Sequence, residues 1–193
     1  MFSEKWRREL ITIPNLLSLF RILLIPVYIS VYLNASEPRD YFLAGSILAL
    51  SCMTDMADGI IARNFHLITN VGKLLDPMAD KLTQLALILS LSARYPILYP
   101  VLGLFLAKEL FQCIALVVFA RKGKVLSGAL WAGKFCTSVL FISLILLVLF
   151  PELPGNAVLL LTVIDAGFLL YSFGSYLLAY FGKGDCLKDL DRE

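Results

Sequence analysis

Four aspartates, Asp55, Asp58, Asp76 and Asp80, fall within the stretch TDMADGIIARNFHLITNVGKLLDPMADK, residues 54–81. Asp55 and Asp58 are three residues apart and Asp76 and Asp80 four, spacings that put each pair on one face of an α-helix. Two antiparallel helices with a short joint would turn all four carboxylates toward each other. So much negative charge at close range stays ionised only with positive charge between the groups. An oxygen-only donor set favours a hard divalent ion, Mg²⁺ or Mn²⁺, and no histidine or cysteine is spaced to suggest zinc. Four carboxylates suit two ions, an arrangement that clamps a phosphate between attacking and leaving oxygens. Gly59, Ala62 and Gly72 keep bulk away from the cluster, as a large anionic ligand would require, although small residues in membrane helices also serve packing. Arg63 either puts a fork-shaped cation beside the phosphates or snorkels to the interface.

The elements that hold these residues are apolar. Of the 193 residues 59% are hydrophobic and 17% charged, with a mean hydropathy of +0.81, which places the chain among membrane proteins. A hydrocarbon core of about 30 Å takes roughly 20 residues per helix. Six such runs can be drawn: 13–33, 42–62, 74–93, 97–120, 128–150 and 157–181. The expected fold is all-α, an integral membrane bundle of six transmembrane helices forming one domain over 1–193. Residues 1–12, with Phe2, Trp6 and Leu10 recurring among Lys5, Arg7 and Arg8, read as an interfacial amphipathic helix. The first span is too long for a signal core, and residues 182–193 read as a solvated tail. Lys5, Arg7, Arg8, Arg63, Lys73, Arg121, Lys122, Lys124, Lys183, Lys188 and Arg192 share one side of the expected topology, against Arg39 and Arg94 on the other. The positive-inside rule then makes both termini and the aspartate cluster cytoplasmic. A net charge of +2 says little, and no nucleic-acid partner is expected.

The order Asp55, two residues, Asp58-Gly59, two residues, Ala62-Arg63, eight residues, Gly72, three residues, Asp76, three residues, Asp80 resembles the signature of the CDP-alcohol phosphatidyltransferase family. Size, span number and cytoplasmic ends extend the resemblance over nearly the whole chain. It implies transfer of a phosphatidyl group from a CDP-linked lipid, CDP-diacylglycerol, to a polar alcohol acceptor, with release of CMP. It further implies that Asp55, Asp58, Asp76 and Asp80 hold two divalent ions and that Asp80 is also the catalytic base. In the first span, IPNLLSLFR is similar to the family's opening segment, in which Pro14, Asn15, Ser18 and Arg21 would approach the CDP group. Pro14, Ser18 and Arg21 share one helical stripe; Arg21 either faces ligand or pairs with a buried acid. Family members are homodimers by the same resemblance, and Ala129 and Gly133 offer a small-residue face for one.

LDPMADK resembles the phosphatidylglycerophosphate synthase and cardiolipin synthase branches. An acceptor bearing phosphate, such as glycerol 3-phosphate, needs basic side chains. Lys108, Lys134 and Arg121 are the candidates, with Lys122 and Lys124 beside them. Phosphatidylglycerophosphate synthases tend to carry arginine where this chain has Lys108, and a second basic residue where it has Cys136. That departure leaves open a lipid acceptor such as phosphatidylglycerol. Asp165 reads as a structural partner, the four cysteines as packing, and His66 as a surface residue. A reading from another class is a small cation transporter, since buried acids also mark ion paths.

Overall fold

The computed structural model describes residues 12–64, 72–121, 124–126, 131–181 and 187–189. Residues 1–11 of the interfacial helix expected over 1–12, His66 and most of the tail lie outside the described residues. Six long helices fill most of the rest: α1 (Ile13–Leu33), α2 (Pro38–Asn64), α3 (Gly72–Arg94), α4 (Tyr99–Arg121), α5 (Trp131–Leu149) and α6 (Gly155–Phe181). Each coincides with one of the six apolar runs. A 3₁₀ turn, Pro96–Leu98, leads into α4. Within the tail read as solvated, β2 (Leu187–Asp189) pairs antiparallel with β1 (Lys124–Leu126), Val125 opposite Lys188. That three-residue ladder is the only β-structure among the described residues.

Three segments are long and apolar enough to cross a membrane: Pro14–Leu33, Pro96–Arg121 and Gly155–Phe181. In α5 the apolar stretch Gly133–Leu149 is shorter. The helices α2 and α3 have the length and carry the aspartates, together with Arg63, Lys73 and Lys81. The charges that make the site are what dilute the hydropathy of the two helices bearing it.

Two compact units divide the chain, Met1–Ser90 and Leu91–Glu193. In the first, α1 packs along α2. The joint between them is pinned by Asp40, whose Oδ2 accepts N–H bonds from Ser36 at 2.9 Å and Glu37 at 3.0 Å, satisfying donors that a helix start leaves open. Beside this joint Tyr28 stacks on Tyr32 with ring centroids 5.7 Å apart, and Tyr32 meets Tyr41 edge-on at 5.8 Å. Tyr28 Oη lies 3.2 Å from Ser90 Oγ and ties α1 to α3. Pro14 opens α1, where a missing N–H costs nothing. Pro26 interrupts the same helix, a break that membrane helices tolerate when neighbours satisfy the freed carbonyl.

The polarity of this unit is reversed relative to a water-soluble helix pair. Along α1 the buried face holds Asn15, Ser18 and Arg21, while Leu16, Leu19, Phe20 and Leu23 point outward. Polar groups gather inside because hydrocarbon outside offers them no partner. The chain is a membrane protein on that pattern and on its apolar helices.

In the second unit α6 packs against both α4 and α5 around Leu98, Val101, Phe105, Leu140, Leu144 and Leu169, all buried. Phe111 meets Phe173 edge-on at 5.2 Å. Asp165, fully buried, accepts the Ser143 hydroxyl bond and so joins α6 to α5, the structural role expected of it. Gly133 brings α5 close to α6: a Cβ there would lie 2.5 Å from Tyr176 Oη and 3.1 Å from its ring. The small-residue face expected to meet a second copy is thus, at Gly133, packed inside its own chain; Ala129 lies outside the described residues. Gly133→Val should cost about 1–3 kcal/mol through overpacking, read as a lower midpoint of thermal unfolding in detergent; an unchanged midpoint would show that Tyr176 yields freely.

Candidate active site

Asp55 and Asp58 occupy the last three turns of α2, and Asp76 and Asp80 the first three turns of α3. Their helical spacing turns each pair inward, and α1 completes the enclosure. Ser18 and Arg21, one turn apart on its buried stripe, reach into the carboxylates. The Arg21 guanidinium contacts three of them: Nη2 lies 2.6 Å from Asp55 Oδ1 and 2.7 Å from Asp58 Oδ2, and Nη1 lies 2.5 Å from Asp80 Oδ1. The Ser18 hydroxyl lies 3.3 Å from Asp58 Oδ2 and 3.1 Å from the Pro14 carbonyl, and it also bonds Asp76 Oδ1. Ser18 therefore bridges α2 to α3, and every aspartate of the cluster is held by one of these two α1 side chains.

Accessibility differs sharply around the cluster. The Asp58 side chain is 5% exposed, whereas those of Asp55 and Asp80 are 48% and 54% exposed. The cluster is closed on the α1 side and open at Asp55 and Asp80, where a ligand can enter. About one turn farther along the same three helices a small cleft is lined by Leu24, Tyr28, Leu48, Ser51, Thr83 and Ala86.

Charge and donor chemistry favour hard cations at this point. Four carboxylates, if ionised, against the single guanidinium among them leave three negative charges, and all their donor atoms are oxygen. Among the described residues no three histidine, cysteine, aspartate or glutamate side chains stand at the mutual spacing that holds one ion. The oxygens of Asp55, Asp58 and Asp80 are instead spread around the two terminal nitrogens of Arg21, and Asp76 is bonded by Ser18.

The remaining residues singled out in the sequence fall as follows. Pro14 and Asn15 lie on the buried stripe of α1, and Gly72 is buried at the start of α3. Gly59, Ala62 and Arg63 belong to the last turns of α2, but their surroundings lie outside the described residues. The acceptor candidates all lie in the second unit. Lys108 is buried on α4, its Nζ 2.7 Å from Glu109 Oε1. Arg121 is exposed at the end of α4 and Lys134 is exposed on α5. Burial thus separates Lys108 from the other two. Ser143, the structural partner of Asp165, is what sequence reasoning missed; its only signal was a hydroxyl within an apolar run.

The family model for CDP-alcohol phosphatidyltransferase matches residues 11–170. The chain belongs to that family. It is a transferase of phospholipid biosynthesis, and the transporter reading ends here. Among its relatives, the CDP-diacylglycerol–glycerol-3-phosphate 3-phosphatidyltransferase of Escherichia coli is 31% identical over 172 residues, 86% of this chain and 93% of the relative. A probable phosphatidylglycerophosphate synthase of Mycobacterium tuberculosis is 30% identical over 145 residues, 74% of this chain and 68% of the relative. A CMP-forming cardiolipin synthase of Streptomyces coelicolor is 31% identical over 143 residues, 73% and 66% respectively. For this phosphatidyltransferase the matched region contains α1, α2 and α3 entire, and with them all six side chains of the cluster.

Proposed function

We propose that this phosphatidyltransferase moves the phosphatidyl group of CDP-diacylglycerol to glycerol 3-phosphate, giving phosphatidylglycerophosphate and CMP, with two Mg²⁺ or Mn²⁺ ions. The observation that carries the reading is the convergence of Asp55, Asp58, Asp76 and Asp80 at one point that opens outward at Asp55 and Asp80. These four carboxylates would hold the ions. When bound, such ions neutralise the diphosphate and draw electron density from the phosphorus under attack.

The chain's own groups then have distinct tasks. Asp80, at the open edge, takes the proton of the acceptor hydroxyl as its oxygen bonds to the phosphatidyl phosphorus. The bond from that phosphorus to the CMP oxygen breaks, and CMP leaves with the electron pair. Ser18 fixes the carboxylates of α2 and α3 relative to each other. Gly59, Ala62 and Gly72 leave room for the nucleotide, and Arg63 supplies a cation to its phosphates. On this reading all six helices span the membrane, and both termini and the site face the cytoplasm.

A second acceptor is favoured by one observation. The charge of Lys108 is already met by Glu109, and the place of a second basic residue is taken by Cys136, which is fully buried. Both weaken a phosphate pocket and favour phosphatidylglycerol, hence cardiolipin synthesis. An acceptor panel in detergent decides: CDP-diacylglycerol with glycerol 3-phosphate, phosphatidylglycerol, inositol phosphate or serine, each with Mg²⁺ or Mn²⁺, read as CMP released and lipid formed. Glycerol 3-phosphate should give the fastest release. A chelator should stop it and added Mn²⁺ restore it; full release under strict chelation would end the metal-dependent reading.

A further inference from the structure

We infer that Arg21 is a resident counter-ion of the aspartate cluster, which cations displace and which then moves onto the anionic ligand they bring. This rests on the reading of the aspartates as cation ligands and adds a competition that the reading does not contain. The guanidinium takes up Asp55, Asp58 and Asp80 within 2.5–2.7 Å. Those are the oxygens a divalent ion would need, so the two modes of compensation exclude each other at the same atoms. Coulomb attraction favours a divalent ion over a single positive charge at equal distance.

Arg21 also has a reason to leave. The side chain is buried, and its Nε has no hydrogen-bond partner among the described residues. Its present partners are distributed over two nitrogens and three carboxylates, which leaves the Nε donor unused. A phosphate can accept from Nε and one terminal nitrogen together, the two-pronged pairing that guanidinium groups favour. An unsatisfied buried donor is costly, so a diphosphate arriving with the cations would complete the bonding of Arg21 while the cations complete that of the aspartates. Lysine could not do this, because it presents a point charge with no planar fork. Arg21 would thereby link cation entry to nucleotide binding: each lowers the cost of the other, with the same factor in both directions.

The test uses the whole protein in detergent, Mn²⁺ alone as probe, and electron paramagnetic resonance to count free ion. Arg21→Gln removes the competitor while keeping a polar side chain. It should bind Mn²⁺ about tenfold more tightly than the wild type and show a larger Mn²⁺-induced rise in the unfolding midpoint. Arg21→Lys, which keeps a charge and guards against misfolding of the first variant, should fall between the two. Added CDP should tighten Mn²⁺ binding in the wild type and lose that effect in both variants. Equal or weaker Mn²⁺ binding in the variants overturns the inference while leaving the cation site standing, provided that Asp58→Asn weakens Mn²⁺ binding to the Arg21-containing protein. Mn²⁺ binding that is absent, or indifferent to Asp58→Asn, overturns the cation site and the inference together.

Discussion

Asp80→Asn should lower the rate of acceptor-dependent CMP release by about 10²- to 10⁴-fold, the range that a positioned general base contributes. Asparagine keeps the shape of the side chain and can still accept a bond from Arg21 Nη1, which lies 2.5 Å from Asp80 Oδ1. It cannot take a proton from the acceptor hydroxyl. Asp55, Asp58 and Asp76 remain to hold cations, so the apparent affinity for CDP-diacylglycerol should change far less than turnover. The distinguishing measurement is a single-turnover experiment with saturating CDP-lipid, in which release is slow although the lipid is bound. Near-normal turnover would remove Asp80 from the chemistry. A loss of lipid binding equal to the loss in rate would make Asp80 a cation ligand only.

The second large effect is expected at Lys108. Removing one charge-assisted contact to an acceptor phosphate costs about 1.5–3 kcal/mol, roughly 10- to 150-fold in kcat/KM for glycerol 3-phosphate. Lys108→Met by itself confounds that effect with stability, because it leaves Glu109 charged beside an apolar residue. Breaking one half of a buried pair costs about 3–5 kcal/mol, whereas neutralising both halves is far milder. Lys108→Met with Glu109→Gln is therefore the informative variant. It should unfold near the wild-type midpoint, retain its dependence on CDP-diacylglycerol, and need much more glycerol 3-phosphate. An unchanged acceptor requirement in a stable double variant would assign the pair to packing and favour an acceptor without phosphate.

These outcomes separate the roles of the two units. The first unit contains every side chain assigned to the CDP-lipid and the cations. The second contains the acceptor candidates, of which Lys108 is buried and Arg121 and Lys134 are exposed. Losses read at Asp80 should therefore appear for every acceptor tested, and losses read at Lys108 only for acceptors that carry phosphate.

The sequence by itself determined what depends on local period and on length. Apolar runs near 20 residues became helices at the positions drawn, the form in which an apolar segment satisfies its own backbone. Spacings of three and four residues set the faces of α2 and α3, and the stripe of Pro14, Ser18 and Arg21 turned inward because water-seeking groups avoid lipid. Which partner each inward group takes was decided only by the tertiary structure. Arg21 could have faced a ligand or an acid, and the rotation and depth of α1 against α2 and α3 put it among three carboxylates. Ser18 became a bridge between Asp58 and Asp76, and Ser143 found Asp165, through the same relative placement. Gly133 looks outward-facing in the sequence and lies against Tyr176 in the fold. Lys108 and Lys134 look alike in one dimension, but one is buried beside Glu109 and the other exposed. A helical period fixes a face within one segment; the offset between segments is set by packing, for which the chain carries no period.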